Sequence, residues 1–301
     1  MAAPSAEEKV ALREVPEPEP RPDQALVEVR AISINRGEFN RLQTAADGWR
    51  PGWDVSGVVV RAADDGRSPP AGARVVGISN FGGWCQRLPL TAGELALIPD
   101  SLSFAAAATL PVAGLTALRT LRLGGLLLGR RVLVTGAAGG VGRFALQLGR
   151  MAGAHLTAVV GSAERAAGLR ELGADEVVVG IENAEGRYDL ILENAGGASL
   201  AAALLKVARN GTVATFGNSA REPTTFNTSD FYFQSARLVG FFLLDPAGGP
   251  YSDDLAYLAG LVADGRLDPQ IGLEAGWREA ARALRELRDR SLPGKAVLHL
   301  E

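Results

Sequence analysis

The chain has 301 residues, 47% of them hydrophobic, enough for two domains or one large domain with a substantial core. A net charge of −3 with scattered Lys and Arg gives no electrostatic drive towards nucleic acid, so a nucleic-acid partner is not expected. One cysteine, Cys85, excludes an intramolecular disulfide and a multi-cysteine metal site, which fits a reducing cytoplasm.

Glu7, Glu8 and several prolines stand where a signal peptide needs a basic start and an apolar run. The leucine-rich stretch Leu121 to Leu128 contains Arg122 and precedes Arg130 and Arg131, and no wholly apolar run reaches the roughly 20 residues that span a bilayer. A soluble protein without a membrane partner is expected. Pro16, Pro18, Pro20 and Pro22 impose an extended approach. Residues 25–34 then alternate in part, as a half-buried strand does, and break at Asn35-Arg36-Gly37. Residues 53–60 and 73–78 are further strands, so the first hundred residues read as β-rich.

From Phe104 the chain turns alanine- and leucine-rich, predicting helices over 104–111 and 112–123. A strand at 131–135 follows, then glycines 136, 139, 140 and 142, then a helix whose Phe144, Leu146, Leu148 and Met151 share a buried face. Such a turn lets backbone N–H groups and the positive end of the helix meet a phosphate. Alternating units continue: strand 155–160, helix 163–172, strands 176–179 and 188–192, helix 198–208, strands 211–216 and 237–243, helix 252–264. Strands interleaved with helices predict a doubly wound parallel sheet, and the closing strand 296–300 is expected to return to the β-rich part. The glycine turn in that context reads as a dinucleotide pyrophosphate site. At the end of the second strand, Gly161-Ser162 and Arg165 favour the 2′-phosphate of NADPH, whereas Glu164, if it turned to the ribose, would weaken that preference. Ser162 reads equally as a helix cap and Arg165 as a solvated cation.

Several motifs in order resemble the zinc-free quinone oxidoreductases of the medium-chain dehydrogenase/reductase superfamily. They are residues 34–39 (INRGEF), 52–57 (GWDVSG), 98–117 (IPDSLSFAAAATLPVAGLTA), the glycine loop 136–142, 172–175 (LGAD), Phe216-Gly217 and 294–297 (GKAV). The resemblance implies an α/β chain: a GroES-like β-rich catalytic domain from residues 1–107 and 267–301, and a Rossmann NADP-binding domain over 108–266. It implies a homodimer and hydride transfer from NADPH to an apolar, electrophilic quinone, enone or 2-alkenal. By motif position, Thr116, Gly139, Gly140, Val141, Ser162, Arg165, Asn194, Gly217, Asn218 and Lys295 would bind cofactor, with Asn35 near the nicotinamide. Arg36, Gly37 and Glu38 replace the family's residues after Asn35, and the loops near 48–51 and 64–70 are short, so an atypical substrate pocket is expected.

A zinc site needs three or four converging ligands, and only His155, His299 and Cys85 are on offer. The two histidines read as structural and Cys85 as a small buried hydrophobe. A conjugated acceptor needs mainly orientation and one hydrogen-bond donor. Asn35 and Arg36 are the candidate catalytic residues, with Asp54 orienting either; Asn35 reads equally as a turn residue and Asp54 as structural. Among Phe39, Trp49, Trp53, Phe81, Trp84, Phe231, Tyr232 and Tyr251, some are expected to line a pocket and Tyr251 to sit on a mobile lip. The alternatives are a specialised biosynthetic enoyl reductase or non-redox enzyme on the same scaffold, or a nucleotide-binding protein with little turnover.

Overall fold

The structure, a computed structural model, describes residues 10–245 and 247–300; the acidic start at Glu7 and Glu8 lies outside them. In chain order come β1 (Gln24–Ile34), α1 (Arg36–Thr44), β2 (Asp54–Arg61), β3 (Arg74–Ile78), β4 (Arg87–Thr91), β5 (Leu95–Leu97) and α2 (Phe104–Ala108). A π-helical turn, Leu110–Gly114, leads into α3 (Leu115–Arg122), β6 (Arg131–Val134), α4 (Gly140–Met151), β7 (His155–Val160), β8 (Glu176–Val179) and β9 (Tyr188–Glu193). Then follow α5 (Gly197–Lys206), β10 (Val207–Thr215), α6 (Thr228–Tyr232), β11 (Arg237–Gly240), α7 (Ser252–Ala263), β12 (Ile271–Gly276), α8 (Ala280–Arg288) and β13 (Lys295–His299). The chain divides into one compact unit, Met1–Leu115 with Leu244–Glu301, and a second, Thr116–Leu243. The expected divisions at 107/108 and 266/267 differ mainly by α7. Its Leu255 and Leu258 are buried, and just before it the Tyr251 N–H donates to the Gly93 carbonyl of the first unit at 2.8 Å. That bond anchors Tyr251, where a mobile lip was expected.

In the first unit the strands run β12-β13-β1-β2-β3-β5, with β4 also paired to β1. The terminal strand returns to the N-terminal sheet as the sequence predicts, β13 lying antiparallel to β1 with Ile34 opposite Ala296. Val27, Val29, Ile32, Val55, Val59 and Leu90 form its core. The alanines of α2 are buried, and their small side chains let that helix lie close on Ala31 and Val297. Where a loop was expected after Asn35, α1 begins, because Glu38 reaches back to the Asn35 N–H at 2.7 Å as in a capping box. The helix α8 was also missed; its Ala283 and Leu284 face inward, and Arg282 pairs outward with Glu279 and Glu286.

The second unit is a parallel sheet in the order β11-β10-β9-β6-β7-β8, so the winding direction reverses between β6 and β9. Leu133, Ile191, Leu204 and Val213 pack its core. Phe144, Leu146 and Leu148 of α4 are buried as their spacing predicts. Met151 is 39% exposed instead, because the chain leaves the helix there through Ala152 and Gly153, the latter at φ +76°. Over 163–172 the expected helix is only a 3-10 turn, Ala163–Ala166, and Gly168 at φ +75° prevents its continuation. Among the described residues no helix is long and apolar enough to cross a membrane.

Candidate functional site

In the second unit, β6 runs through Thr135 into Gly136 at φ +57°, a conformation that glycine adopts without strain. A Cβ on Gly136 would stand 2.5 Å from Asn194 Oδ1, and one on Gly142 would stand 2.5 Å from the Ala137 Cα, so turn and helix meet with no room for a side chain. Gly139 is the N-cap of α4, and no side chain caps the helix start, where Gly140 and Val141 lie. Its first N–H groups and the helix dipole suit an anion. Asn194 donates from Nδ2 to the Thr135 carbonyl at 3.1 Å. A Cβ on Gly217 would stand 2.8 Å from the Asn194 carbonyl oxygen, and one on Gly196 would stand 2.3 Å from Asn218 Oδ1. Gly139, Gly140, Val141, Asn194, Gly217 and Asn218 are thus gathered at the C-terminal ends of β6, β9 and β10. That is the position where doubly wound sheets bind ligands, and the closely packed glycines fit a dinucleotide pyrophosphate.

Sequence reasoning missed Glu193, fully buried beside this loop. It accepts from the Ala195 N–H (3.1 Å), the Gly196 N–H (3.0 Å) and the Ser199 hydroxyl (2.9 Å), so its charge is satisfied by the loop it braces. The signal was a carboxylate at a strand end before a small-residue turn. Beyond β7, Ser162 heads the 3-10 turn; its carbonyl accepts from the Arg165 N–H at 3.2 Å. The neighbouring Ser162 side chain holds the Glu164 carboxyl below the ordinary carboxylate range. Thr116 is buried in α3, its carbonyl accepting from the Thr120 hydroxyl at 2.6 Å.

The first unit holds a separate buried polar cluster where β1 ends and β2 and β13 begin. Its register sets Ser33 opposite Asp54 and Ile34 opposite Ala296, bringing Ser33, Asn35, Asp54 and Lys295 together. Asp54 Oδ2 accepts from the Ser33 hydroxyl, from Asn35 Nδ2 at 2.8 Å and from Lys295 Nζ at 3.1 Å. Its Oδ1 accepts from the Val112 N–H at 2.8 Å, a donor that the π-helical turn presents to it. Asp54 therefore orients Asn35. Glu38 accepts from the Asn35 and Trp53 N–H groups and, at 3.3 Å, from Asn35 Nδ2. These donors favour its ionised form, yet burial and the nearby Asp54 charge outweigh them and raise its pKa to about 8.

The three ammonium hydrogens of Lys295 are matched by Ile34 O, Asn35 Oδ1 and Asp54 Oδ2, and the residue is 3% exposed, so it braces this cluster. Arg36 donates from Nη2 to the Leu287 carbonyl at the end of α8.

Among the described residues no three or more His, Cys, Asp or Glu side chains converge as a metal site. His299 pairs with Glu274 at 2.6 Å, His155 is exposed, and Cys85 is buried, its thiol pKa raised by desolvation. Of the aromatic residues, Phe39 is core, and Trp53 packs on Gly37 while donating to the Asn80 carbonyl at 2.9 Å. Trp49 and Phe81 line a surface cavity of about 580 Å³ together with Arg41, Arg50 and Arg87.

Residues 21–117 match the model of the alcohol dehydrogenase GroES-like domain, and residues 140–259 match that of the zinc-binding dehydrogenase. The chain is similar to the chloroplast envelope quinone oxidoreductase homolog of Arabidopsis thaliana (27% identity; 95% of this chain, 92% of that one). It is also similar to the mitochondrial NAD(P)H oxidoreductase RTN4IP1 of Mus musculus (31% identity; 93% of this chain, 82% of that one). Among solved structures, the 2-octenoyl-CoA carboxylase reductase CinF in complex with NADP and 2-octenoyl-CoA superimposes with a TM-score of 0.86 (25% identity; 98% of this chain, 83% of that one). With a glycine-cradled parallel sheet in one unit and a GroES-like β-rich unit as the other, the chain belongs to the quinone oxidoreductase family of the medium-chain dehydrogenase/reductase superfamily.

Proposed function

We propose that the chain is an NADPH-dependent, zinc-independent reductase of quinones, enones or 2-alkenals. The observation that carries this reading is the gathering of Gly139, Gly140, Asn194, Gly217 and Asn218 at the C-terminal edge of the parallel sheet, with uncapped helix amides at its centre. Ser162 and Arg165 support the 2′-phosphate form. The dinucleotide, when bound, supplies the hydride; the chain's own residues bind it, orient the acceptor and limit water.

Both amide hydrogens of Asn35 are engaged by Asp54 and Glu38, and its Oδ1 accepts from Lys295, so in this reading Asn35 positions the groups around it and donates no hydrogen to the acceptor. Water then protonates the reduced acceptor, which a conjugated carbonyl permits without a metal. The lack of three converging ligands among the described residues supports the same view. A lone, buried Cys85 suits a cytoplasmic setting. Leu238 and Phe242, exposed on and beside the edge strand β11, support a homodimer.

The test is to mix purified protein with NADPH or NADH and a panel of quinones, enones, 2-alkenals and an enoyl-CoA, following the reduced-nicotinamide band. Turnover of a quinone, enone or alkenal supports the reading. Turnover of the enoyl-CoA alone favours a specialised enoyl reductase, a second reading supported by the likeness to CinF. Cofactor binding without oxidation across the panel would sink both.

A further inference from the structure

We infer that the cavity bounded by Trp49, Phe81, Arg41, Arg50 and Arg87 is a binding site for a flat, apolar molecule that carries a negative charge. It lies wholly within the first unit and uses none of Ser33, Asn35, Asp54 or Lys295, so it stands independently of the nicotinamide reading. Its volume of about 580 Å³ suits a small ligand. Arg41 comes from the last turn of α1, Trp49 and Arg50 from the loop after it, Phe81 from the loop after β3, and Arg87 from the start of β4. The two loops are fastened together, because the Gly82 N–H donates to the Arg50 carbonyl at 3.1 Å and the Gly83 N–H to the Gly52 carbonyl at 3.0 Å. A Cβ on Gly82 would stand 3.9 Å from Arg50 Nε, so the Arg50 side chain lies over that turn.

The Trp49 and Phe81 rings meet edge to face, with centroids 6.4 Å apart and planes at 73°, and so form an apolar corner. Phe81 is still 57% exposed, and a flat ring laid against this corner takes apolar surface out of water. The guanidiniums answer for the charge. Among the described residues no carboxylate pairs with Arg41 or Arg50. Asp47, next to the lining residues in the chain, instead accepts from the Gly48 N–H at 3.0 Å. Arg87 does hold a carboxylate: Glu17, beside the lining residue Pro18, accepts from its Nη1 at 2.5 Å across 70 positions of chain. The chain's own anion thus already occupies one of the three arginines. Both partners are about half exposed, so the pair is weak and an incoming anion can displace it. Guanidinium planes stack on rings as well as pairing with oxyanions, so the arginines suit both halves of such a ligand.

The test is calorimetric titration of the full chain with naphthalene-2-sulfonate, its neutral analogue naphthalene-2-sulfonamide, and inorganic sulfate. The sulfonate should bind about tenfold more tightly than either of the others, and its affinity should fall with added salt. Arg41→Gln combined with Arg50→Gln should weaken the sulfonate about tenfold, whereas Glu17→Gln should tighten it about threefold by releasing Arg87. All three side chains are exposed, so thermal unfolding of the variants should match the parent. Sulfonate and sulfonamide binding equally, sulfonate and sulfate binding equally, or a double variant that binds like the parent would each overturn the inference. An equal loss of NADPH and sulfonate affinity in the double variant also overturns it, by assigning these arginines to the dinucleotide. A parent that binds the sulfonate but no NADPH sinks the nicotinamide reading and leaves this site standing.

Discussion

Lys295 Nζ donates to Asn35 Oδ1 across 2.6 Å, although 260 positions separate them in the chain. The same ammonium stands 3.1 Å from the fully buried Asp54 carboxylate, so neither charge has water as an alternative partner. Removing one member of such a pair leaves an uncompensated buried charge, at a cost of about 3–5 kcal/mol. Lys295→Met should therefore lower the unfolding free energy by that order in a urea titration. Adding Asp54→Asn should recover part of the loss, and a single variant as stable as the parent would deny the pair any net weight.

The same cluster predicts an unusual pH dependence. Glu38 is buried beside Asp54, and its pKa is raised from 4.5 to about 8, with Lys295 only partly offsetting the effect. Between these values the folded chain keeps a proton that the unfolded chain has released. Stability must then fall as pH rises from about 4.5 to 8, with a slope of at most about 1.4 kcal/mol per pH unit from this group. Thermal unfolding across that range should show the decline. Glu38→Gln is expected to be less stable near pH 5, because its NH₂ opposes one of the backbone donors, but its profile should be flatter. A variant with the parent's slope would place the titration elsewhere.

Two glycines of the cradle separate packing from binding. A Cβ on Gly142 would stand 2.5–2.7 Å from Ala137 backbone atoms, which cannot swing aside. Gly142→Ala should cost about 1–3 kcal/mol of stability and weaken cofactor. On Gly139 the Cβ would meet only the Gly136 carbonyl oxygen at 3.3 Å, so Gly139→Ala should unfold near the parent while losing affinity for NADPH. Denaturation and cofactor titration of both variants check this, and equal binding by Gly139→Ala and the parent would move the phosphate away from this turn.

The second unit was legible because its signals are local. Residues 131–160 show a strand, a glycine turn and an apolar helical face in immediate succession; the end at Met151, the 3-10 turn after Ser162, the early start of β10 at Val207 and the short α6 departed from expectation. The first unit was harder. Its polar cluster depends on register across β1, β2 and β13, so no local pattern joins Lys295 to Asn35 and Asp54. The α1 start was nonetheless encoded in Asn35-x-x-Glu38, a capping signal hidden by Gly37. The role of Val112 follows from a π-helical turn next to Pro111, whose missing N–H interrupts the helix; periodicity alone predicted an ordinary helix there.

The edge strand β11 pairs on one side only, with β10. Leu238 on it is 41% exposed, Phe242 beyond it 69%, and the Tyr232 and Phe233 rings lie 4.6 Å apart, tilted by 58°, just before it. The opposite edge, β8, carries the exposed Glu176 and follows Asp175. An unpaired strand flanked by large apolar groups invites pairing with a second copy, whereas carboxylates oppose it. Light scattering of the parent should therefore report a dimer at micromolar concentrations. Leu238→Lys combined with Phe242→Ser should shift the mass to a monomer, each change weakening association by about 2 kcal/mol, with circular dichroism unchanged. A parent that is monomeric, or a double variant that stays dimeric, would remove this edge as the contact.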